Sequence, residues 1–191
     1  MHNADIIAID TYAPHIEKLN SIAAEYGLAD RVHGIVMSMF EMTFENESFD
    51  LIWSEGAAYI AGFSNAIKDW KRLLKSGGYI ICSEISWLRD NPSEESKEFW
   101  NKAYSEMNTI GRKTEQIREQ GYEFEGCFTC PVSDWTVNYY DKIVKNLEKL
   151  EKRYPGNAQA MEAVQHLRDE INLYKEHNND YSYVFYAMKK K

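Results

Sequence analysis

The stretch from Phe49 to Trp87, FDLIWSEGAAYIAGFSNAIKDWKRLLKSGGYIICSEISW, leaves few architectures open. Phe49-Asp50-Leu51-Ile52-Trp53-Ser54 is a short apolar run rich in β-branched and aromatic residues, as a buried strand requires. Glu55-Gly56-Ala57-Ala58 interrupts it with a carboxylate and small residues. A helix is expected next, with Ile67, Trp70, Leu73 and Leu74 on one face and Lys68, Asp69, Lys71 and Lys75 on others. Lys71, Arg72 and Lys75 fall in its last turns, where the helix dipole favours cations. Gly77-Gly78 is expected to stop it, because the residue past a helix end often takes positive φ. Tyr79 to Ile85 then reads as a second strand. Strand, crossover helix and strand make a right-handed parallel βαβ unit. Ligands of such sheets bind beyond the carboxyl ends of the strands. Ser54-Glu55-Gly56 and Ser83-Glu84-Ile85 therefore share one rim.

An acidic strand end (FDLIWSE) followed by a Leu-Lys-x-Gly-Gly turn and another strand (LLKSGGYIICSE) resembles the second half of a class I S-adenosylmethionine-dependent methyltransferase. The resemblance runs from Asp5 to Lys189 and is nearest to the ubiquinone/menaquinone-biosynthesis-like small-molecule group. It implies an α/β fold: a Rossmann-like, mostly parallel sheet in the order 3-2-1-4-5-7-6, whose C-terminal strand is antiparallel. It also implies an enzyme that moves a methyl group from S-adenosylmethionine to a small-molecule acceptor.

Upstream, Asp5-Ile6-Ile7-Ala8-Ile9-Asp10 is an apolar run ending in a carboxylate, a buried parallel strand by pattern. A helix follows, with Pro14 early and Ile16, Leu19, Ile22, Ala23 and Tyr26 as its apolar face. An acidic residue at the end of the second strand of a nucleotide-binding sheet accepts hydrogen bonds from ribose hydroxyls. Asp10, with Thr11 beside it, is the first cofactor candidate; the competing role for Asp10 is a helix cap. Arg31 to Ser38 reads as a third short strand. In the resembling family the turn after it holds adenine, often through an acidic residue; here Ser38 and Met39 stand there, a hydrogen-bonding hydroxyl and a side chain able to pack on the purine. Met39 has core packing as its alternative, and Met37 and Met42 are read as core. Glu55 and Gly56 are assigned to the floor of the cofactor site, the carboxylate as a lining group and the glycine for close backbone approach. Tyr59, Trp87 and Tyr139 are the candidates for the acceptor pocket. Methyl displacement depends on alignment, so no catalytic triad is expected and no catalytic residue is assigned.

The family's first strand and glycine-rich turn (Asp-x-Gly-x-Gly-x-Gly) have no counterpart here, since Met1 falls just ahead of the expected second strand. The chain is thus read as one methyltransferase-like domain over 1–191, truncated at its N-terminus and lacking the first strand. Strands two and four then pair directly after rearrangement, or another chain fills the gap, or the chain is a fragment. This departure keeps open a second function class, a non-catalytic fragment or binding and interaction module. A nicotinamide-dependent dehydrogenase shares the acidic strand end but not the Leu-Lys-x-Gly-Gly turn.

Beyond Trp87, a helix is expected over 93–107, a short one over 112–120, and a strand from Tyr122 to Pro131. Two long helices follow over 135–154 and 157–177, split by Pro155-Gly156. The segments 87–110 and 132–178 are expected to cover the substrate pocket. Asp180 to Met188 alternates as a final strand.

At 191 residues with a formal charge of −8, the chain has room for a sizeable core and carries no basic stripe for nucleic acid. No apolar run is long enough for a membrane span, and the N-terminus lacks signal-peptide features, so a cytoplasmic protein is expected. Homo-oligomerisation is left open. Three cysteines imply a reducing compartment rather than a disulfide scaffold. Cys127 and Cys130 form a Cys-x-x-Cys pair inside an expected strand without a second ligand pair, and the five histidines lack ligand spacing, so no metal is expected.

Overall fold

A computed structural model describes residues 4–191. Its contacts divide the chain into two compact units, 1–45 and 46–191.

In the first unit, β1 (Ile6–Asp10) pairs in parallel with β2 (Val32–Val36), Asp10 opposite Val36. Helix α1 (Ala13–Glu25) joins them, with Pro14 in its first turn. Ile16 and Ala23 are its buried residues, while Ile22 and Tyr26, expected on the same face, are exposed. Asn20 fixes α1 to β2 from its side chain: its amide donates to the Gly34 carbonyl, and its carbonyl accepts from the Gly34 N–H at 2.7 Å.

The second unit is built on a five-stranded sheet. Its elements are β3 (Phe49–Glu55), α2 (Phe63–Trp70), β4 (Leu74–Trp87), α3 (Glu94–Ala103), β5 (Asn108–Thr109), α4 (Ile110–Glu119) and β6 (Tyr122–Thr129). They continue with α5 (Val132–Trp135), α6 (Asp141–Arg153), α7 (Ala158–His177) and β7 (Tyr181–Lys190). The strand order is β3-β4-β7-β6, with β5 added to the end of β4. β3 and β4 are parallel, and β7 lies antiparallel between β4 and β6. The antiparallel final strand is therefore where the resemblance placed it. Among the described strands β1 pairs only with β2, and β3 only with β4.

The helix before Gly77 ends earlier than expected. α2 tightens into a 3₁₀ turn over Lys71–Leu73, and β4 begins at Leu74, which pairs with Phe49. Strand pairing takes the backbone groups that a longer helix would have used. Gly77, at φ 75°, is instead a kink inside the strand, near the register shift between Phe49 and Leu51 on β3. Lys75 follows the strand and reaches Asp50 at 2.8 Å.

The two faces of β7 alternate as its sequence does. Tyr186 meets Phe63 of α2 at 5.8 Å on one face, while Tyr183 stacks on Trp135 at 5.1 Å on the other. That second face carries the larger aromatic cluster, in which Trp100, Trp135, Tyr140, Tyr174 and Tyr181 are buried with Leu147, Val164 and Ile171. Each such side chain contributes about 1.5–3 kcal/mol on burial. The long helix expected over 135–154 is α5 and α6 joined by a π-helical turn, Thr136–Tyr140. The turn adds a residue to the helical repeat. It accompanies Trp135 and Tyr140 both being buried while Tyr139 remains half exposed.

Candidate active site

The parallel pairing of β3 and β4 sets Glu55, the last residue of β3, opposite Ser83 of β4, which runs on to Trp87. The Gly56 N–H donates to Ser83 Oγ at 2.9 Å and ties the end of β3 to β4. Beyond this rim lies a cavity of about 440 Å³, a size suited to a small organic molecule. Gly56, Ser83, Glu84 and Ile85 form its sheet side. Trp100 and Tyr104 enter from α3 and its end, Asp134, Trp135 and Tyr139 from α5 and the π turn, Glu170 from α7 and Tyr183 from β7.

Glu84 is the most enclosed charge of the cavity. Tyr104 Oη donates to its Oε2 at 2.8 Å, and Lys113 Nζ, from α4, donates to the same oxygen at 3.2 Å and to Tyr104 Oη at 2.9 Å. Lys113 also lies over the Phe63 ring at 4.5 Å. Both charged side chains are shielded from water. Burial pushes the Glu84 carboxyl up and the Lys113 ammonium down, each offset in part by the other's charge. Glu84 Oε1 has no hydrogen-bond partner among the described residues. Glu170 accepts from Tyr140 Oη at 2.9 Å, and burial raises its carboxyl despite that bond and a nearby His166. The Tyr139 phenol is pushed up by burial and then by Glu170.

The sequence-based candidates distribute as follows. Tyr59, Tyr139 and Gly56 line the cavity. Glu55 is exposed and accepts from Trp53 Nε1 at 2.6 Å, its strand neighbour on the same face. Trp87 is not a lining residue; it packs edge-on to Tyr181 at 6.4 Å. In the first unit, Asp10 and Thr11 end β1, and the Met37 N–H donates to the Asp10 carbonyl at 3.0 Å, which brings Ser38 and Met39 to the same end of that pair. The Asp10 carboxylate accepts from the Tyr12 N–H at 2.8 Å and lies 3.2 Å from His15 Nδ1. These contacts, the Tyr12 amide first, hold it below the usual carboxylate range. Asp10 thus organises the entry to α1 while 41% of its side chain stays exposed. Ser38 Oγ accepts from the Phe40 N–H at 3.2 Å, leaving its own proton to donate.

A family model described as a methyltransferase domain matches residues 1–146. The chain belongs to this family. The methyltransferase domain is 24% identical over 152 residues to a sarcosine/dimethylglycine N-methyltransferase of Aphanothece halophytica, a match covering 77% of this chain and 53% of that protein. It therefore spans about half the length of that relative. Its fold is that of a Thiobacillus denitrificans S-adenosylmethionine-dependent methyltransferase solved with S-adenosyl-L-homocysteine (TM-score 0.80, 21% identity, 100% of this chain and 77% of that one). The fold is shared too by the [4+2]-cyclase SpnF (TM-score 0.74, 19% identity, 98% of this chain and 66% of that one).

The lining residues Glu84 and Glu170, and Lys113, which pairs with Glu84 without lining the cavity, have no assigned role in the sequence analysis. Glu84 stands there only as part of the rim. Lys113 and Glu170 sit in runs of charge, Arg112-Lys113 and Arg168-Asp169-Glu170, that read as solvated helix faces. The one local signal was Thr114 and Ile117 beside Lys113, which mark the buried side of α4. Among the described residues no His, Cys, Asp and Glu cluster suits a metal ion, and no helix is long and apolar enough to cross a membrane. Cys127 and Cys130 are free thiols, Cys127 exposed.

Proposed function

We propose that this methyltransferase domain binds S-adenosylmethionine and carries its methyl group to a small-molecule acceptor held in the cavity beside Glu84. The observation that carries the reading is the parallel β3–β4 rim opening onto an aromatic-walled cavity, in a chain of methyltransferase family. Bound there, the cofactor supplies an electrophilic methyl group on a sulfonium centre.

Taken unit by unit, the residues present have the chemistry that parts of such a group need. Asp10 uses one lone pair on each carboxylate oxygen for Tyr12 and His15, and the remaining lone pairs of this part-exposed side chain suit ribose hydroxyls. Thr11 flanks it, the Ser38 hydroxyl retains a proton to donate to a purine nitrogen, and Met39 offers a polarisable face. Glu55 and Gly56 contribute the floor at the strand end, where Gly56 admits close backbone approach. Tyr59 and Tyr139 are walls of the acceptor region, and Trp87 packs behind it on Tyr181, outside the lining. The helices of 87–110 and 132–178 cover the acceptor and exclude water. The acceptor is a small molecule, in keeping with the name of the Aphanothece relative. A cytoplasmic location and the absence of nucleic-acid partners are part of the same reading.

The test is titration calorimetry of the intact chain with S-adenosylmethionine and, separately, S-adenosylhomocysteine. Micromolar binding that Asp10→Ala abolishes supports the reading; a folded chain that binds neither overturns it. The second reading, a non-catalytic binding module, draws on β1 pairing with β2 alone and β3 with β4 alone among the described strands. The [4+2]-cyclase with this fold likewise warns that fold alone does not fix the chemistry. No cofactor binding by a folded chain, with retained binding of small molecules in the cavity, is its signature.

A further inference from the structure

The cavity's walls are aromatic and its charges are all of one sign. Glu84, Asp134 and Glu170 line it, and no Lys, Arg or His does so among the described residues. Trp135 and Tyr183 stack at 18° between ring planes, and Tyr139 meets Trp135 edge-on. Tyr59 meets Tyr104 at 5.8 Å at the other side. Ring faces carry negative potential and attract a cation, the more strongly as water is excluded. A carboxylate buried among such rings lacks compensation unless a cation joins it.

Glu170 is in that position, and Glu84, whose charge Lys113 meets at Oε2, shares it at the other oxygen only. Lys113 and Tyr104 both serve Glu84 Oε2, so Oε1, fully buried, has no partner among the described residues. Glu170 has Tyr140 Oη at 2.9 Å, a neutral donor. Its carboxyl is raised by burial, with His166 as the one base acting to lower it. Asp134, more exposed, takes the Asn138 side-chain amide at 3.2 Å, also neutral.

We propose that the cavity selects an organic ammonium, so that the acceptor of this domain is an amine carried in as its cation. Methylation follows once the ammonium N–H proton passes to a lining carboxylate such as Glu170, the freed lone pair then forming the N–C bond as the methyl–sulfur bond breaks and S-adenosylhomocysteine leaves. The proposal deepens the methyl-transfer reading and rests on it for the word acceptor. The selection itself is a property of the cavity alone. The aromatic walls suit the alkyl groups and the diffuse charge of a substituted ammonium. The carboxylates take its N–H groups, with Glu84 Oε1 and Glu170 as the acceptors that lack a cationic partner of their own at hydrogen-bond distance. A neutral molecule of the same shape gains the apolar contacts but leaves these oxygens unpaired.

The test uses a pair of probes that differ only in charge: N,N-dimethylethanolamine, protonated at pH 7, and its carbon isostere 3-methyl-1-butanol. Each is titrated by calorimetry into the intact chain, with and without S-adenosylhomocysteine. The expected result is amine binding at least about tenfold tighter than the isostere. Glu170→Gln, which keeps an acceptor for Tyr140, is expected to weaken the amine about fivefold or more and leave the isostere unchanged. Asp134→Asn, at an exposed position, gives the same reading should Glu170→Gln fail to fold by circular dichroism. Equal affinities, no amine binding by the folded chain in either state, or a ratio unmoved by both substitutions overturns the proposal. Cofactor binding without amine preference sinks this inference alone; amine preference without cofactor binding sinks the methyl-transfer reading alone.

Discussion

Lys113 Nζ lies 3.2 Å from Glu84 Oε2, with 0% and 1% of the two side chains exposed. An ion pair so enclosed owes its existence to completeness: each charge is tolerable only while the other is present. Tyr104 completes the triangle by donating to Glu84 and accepting from Lys113.

Lys113→Met leaves Glu84 charged and unpaired inside the domain, and is expected to cost about 3–5 kcal/mol in urea unfolding. Adding Glu84→Gln removes the orphaned charge. The double variant is expected to recover most of that loss, although Tyr104 keeps only a neutral acceptor. A double variant no more stable than Lys113→Met alone contradicts the coupling.

Asp180 links β7 to the start of α3. Its Oδ2 accepts from the hydroxyls of Ser93 at 2.7 Å and Ser96 at 2.9 Å and from the Ser93 N–H at 2.9 Å. Burial alone pushes its carboxyl up, and these donors outweigh that, so the net direction is down. A carboxylate lowered in the folded state contributes stability above its unfolded value, near pH 4, and loses it as pH falls through the folded value. Asp180→Asn is expected to lower stability by about 2 kcal/mol at pH 7. The gap to the native chain should narrow as the pH of the unfolding experiment is lowered below 4; a gap constant with pH contradicts this account.

Gly121 closes α4 at φ 74°, and a Cβ built on it would lie 2.8 Å from Lys71 Nζ. That ammonium donates to the Gln120 carbonyl at 2.7 Å and the Gly121 carbonyl at 3.1 Å, capping the helix end. Gly121→Ala pays both the left-handed backbone, about 1–2 kcal/mol, and displacement of the lysine. In a Lys71→Met background its effect in thermal unfolding is expected to shrink to the backbone part. Equal effects in both backgrounds would mean that Lys71 gives way freely.

The three thiols rank by enclosure. Cys82 is buried in β4 and its thiol is pushed far up by burial and then by the Glu84 charge; Cys130 is pushed up more modestly, again by burial first; Cys127 is exposed. Reaction with a chromogenic disulfide at pH 8 is expected to label Cys127 fast, Cys130 slowly, and Cys82 only in denaturant. Prompt labelling of all three in the native chain would show that β4 opens readily.

The sheet was legible because its strands carry their own pattern. The alternation from Asp180 to Met188 sufficed for β7, and the acidic run ends sufficed for the rim formed by Glu55 and Ser83. The end of α2 was misread because Gly77-Gly78 is a local stop signal, whereas the pairing of Leu74 with Phe49 is a contact across the sequence. The same difference explains the cavity. Tyr59 and Tyr139 were found as aromatic residues near expected loops and helices, but Glu170 was not, because the bond that marks it comes from Tyr140, thirty residues away. Trp87 looked like a wall from its place after β4. The structure instead packs it edge-on to Tyr181, and neither ring lines the cavity.

The cavity draws Glu84 from the sheet but Asp134, Trp135 and Glu170 from the helices that follow it in the chain. The helical wall of the cavity and the strand-end rim are thus written in separable stretches of sequence. Substitutions confined to α5, the π turn and α7 can reshape that wall while β3 and β4 stay as they are.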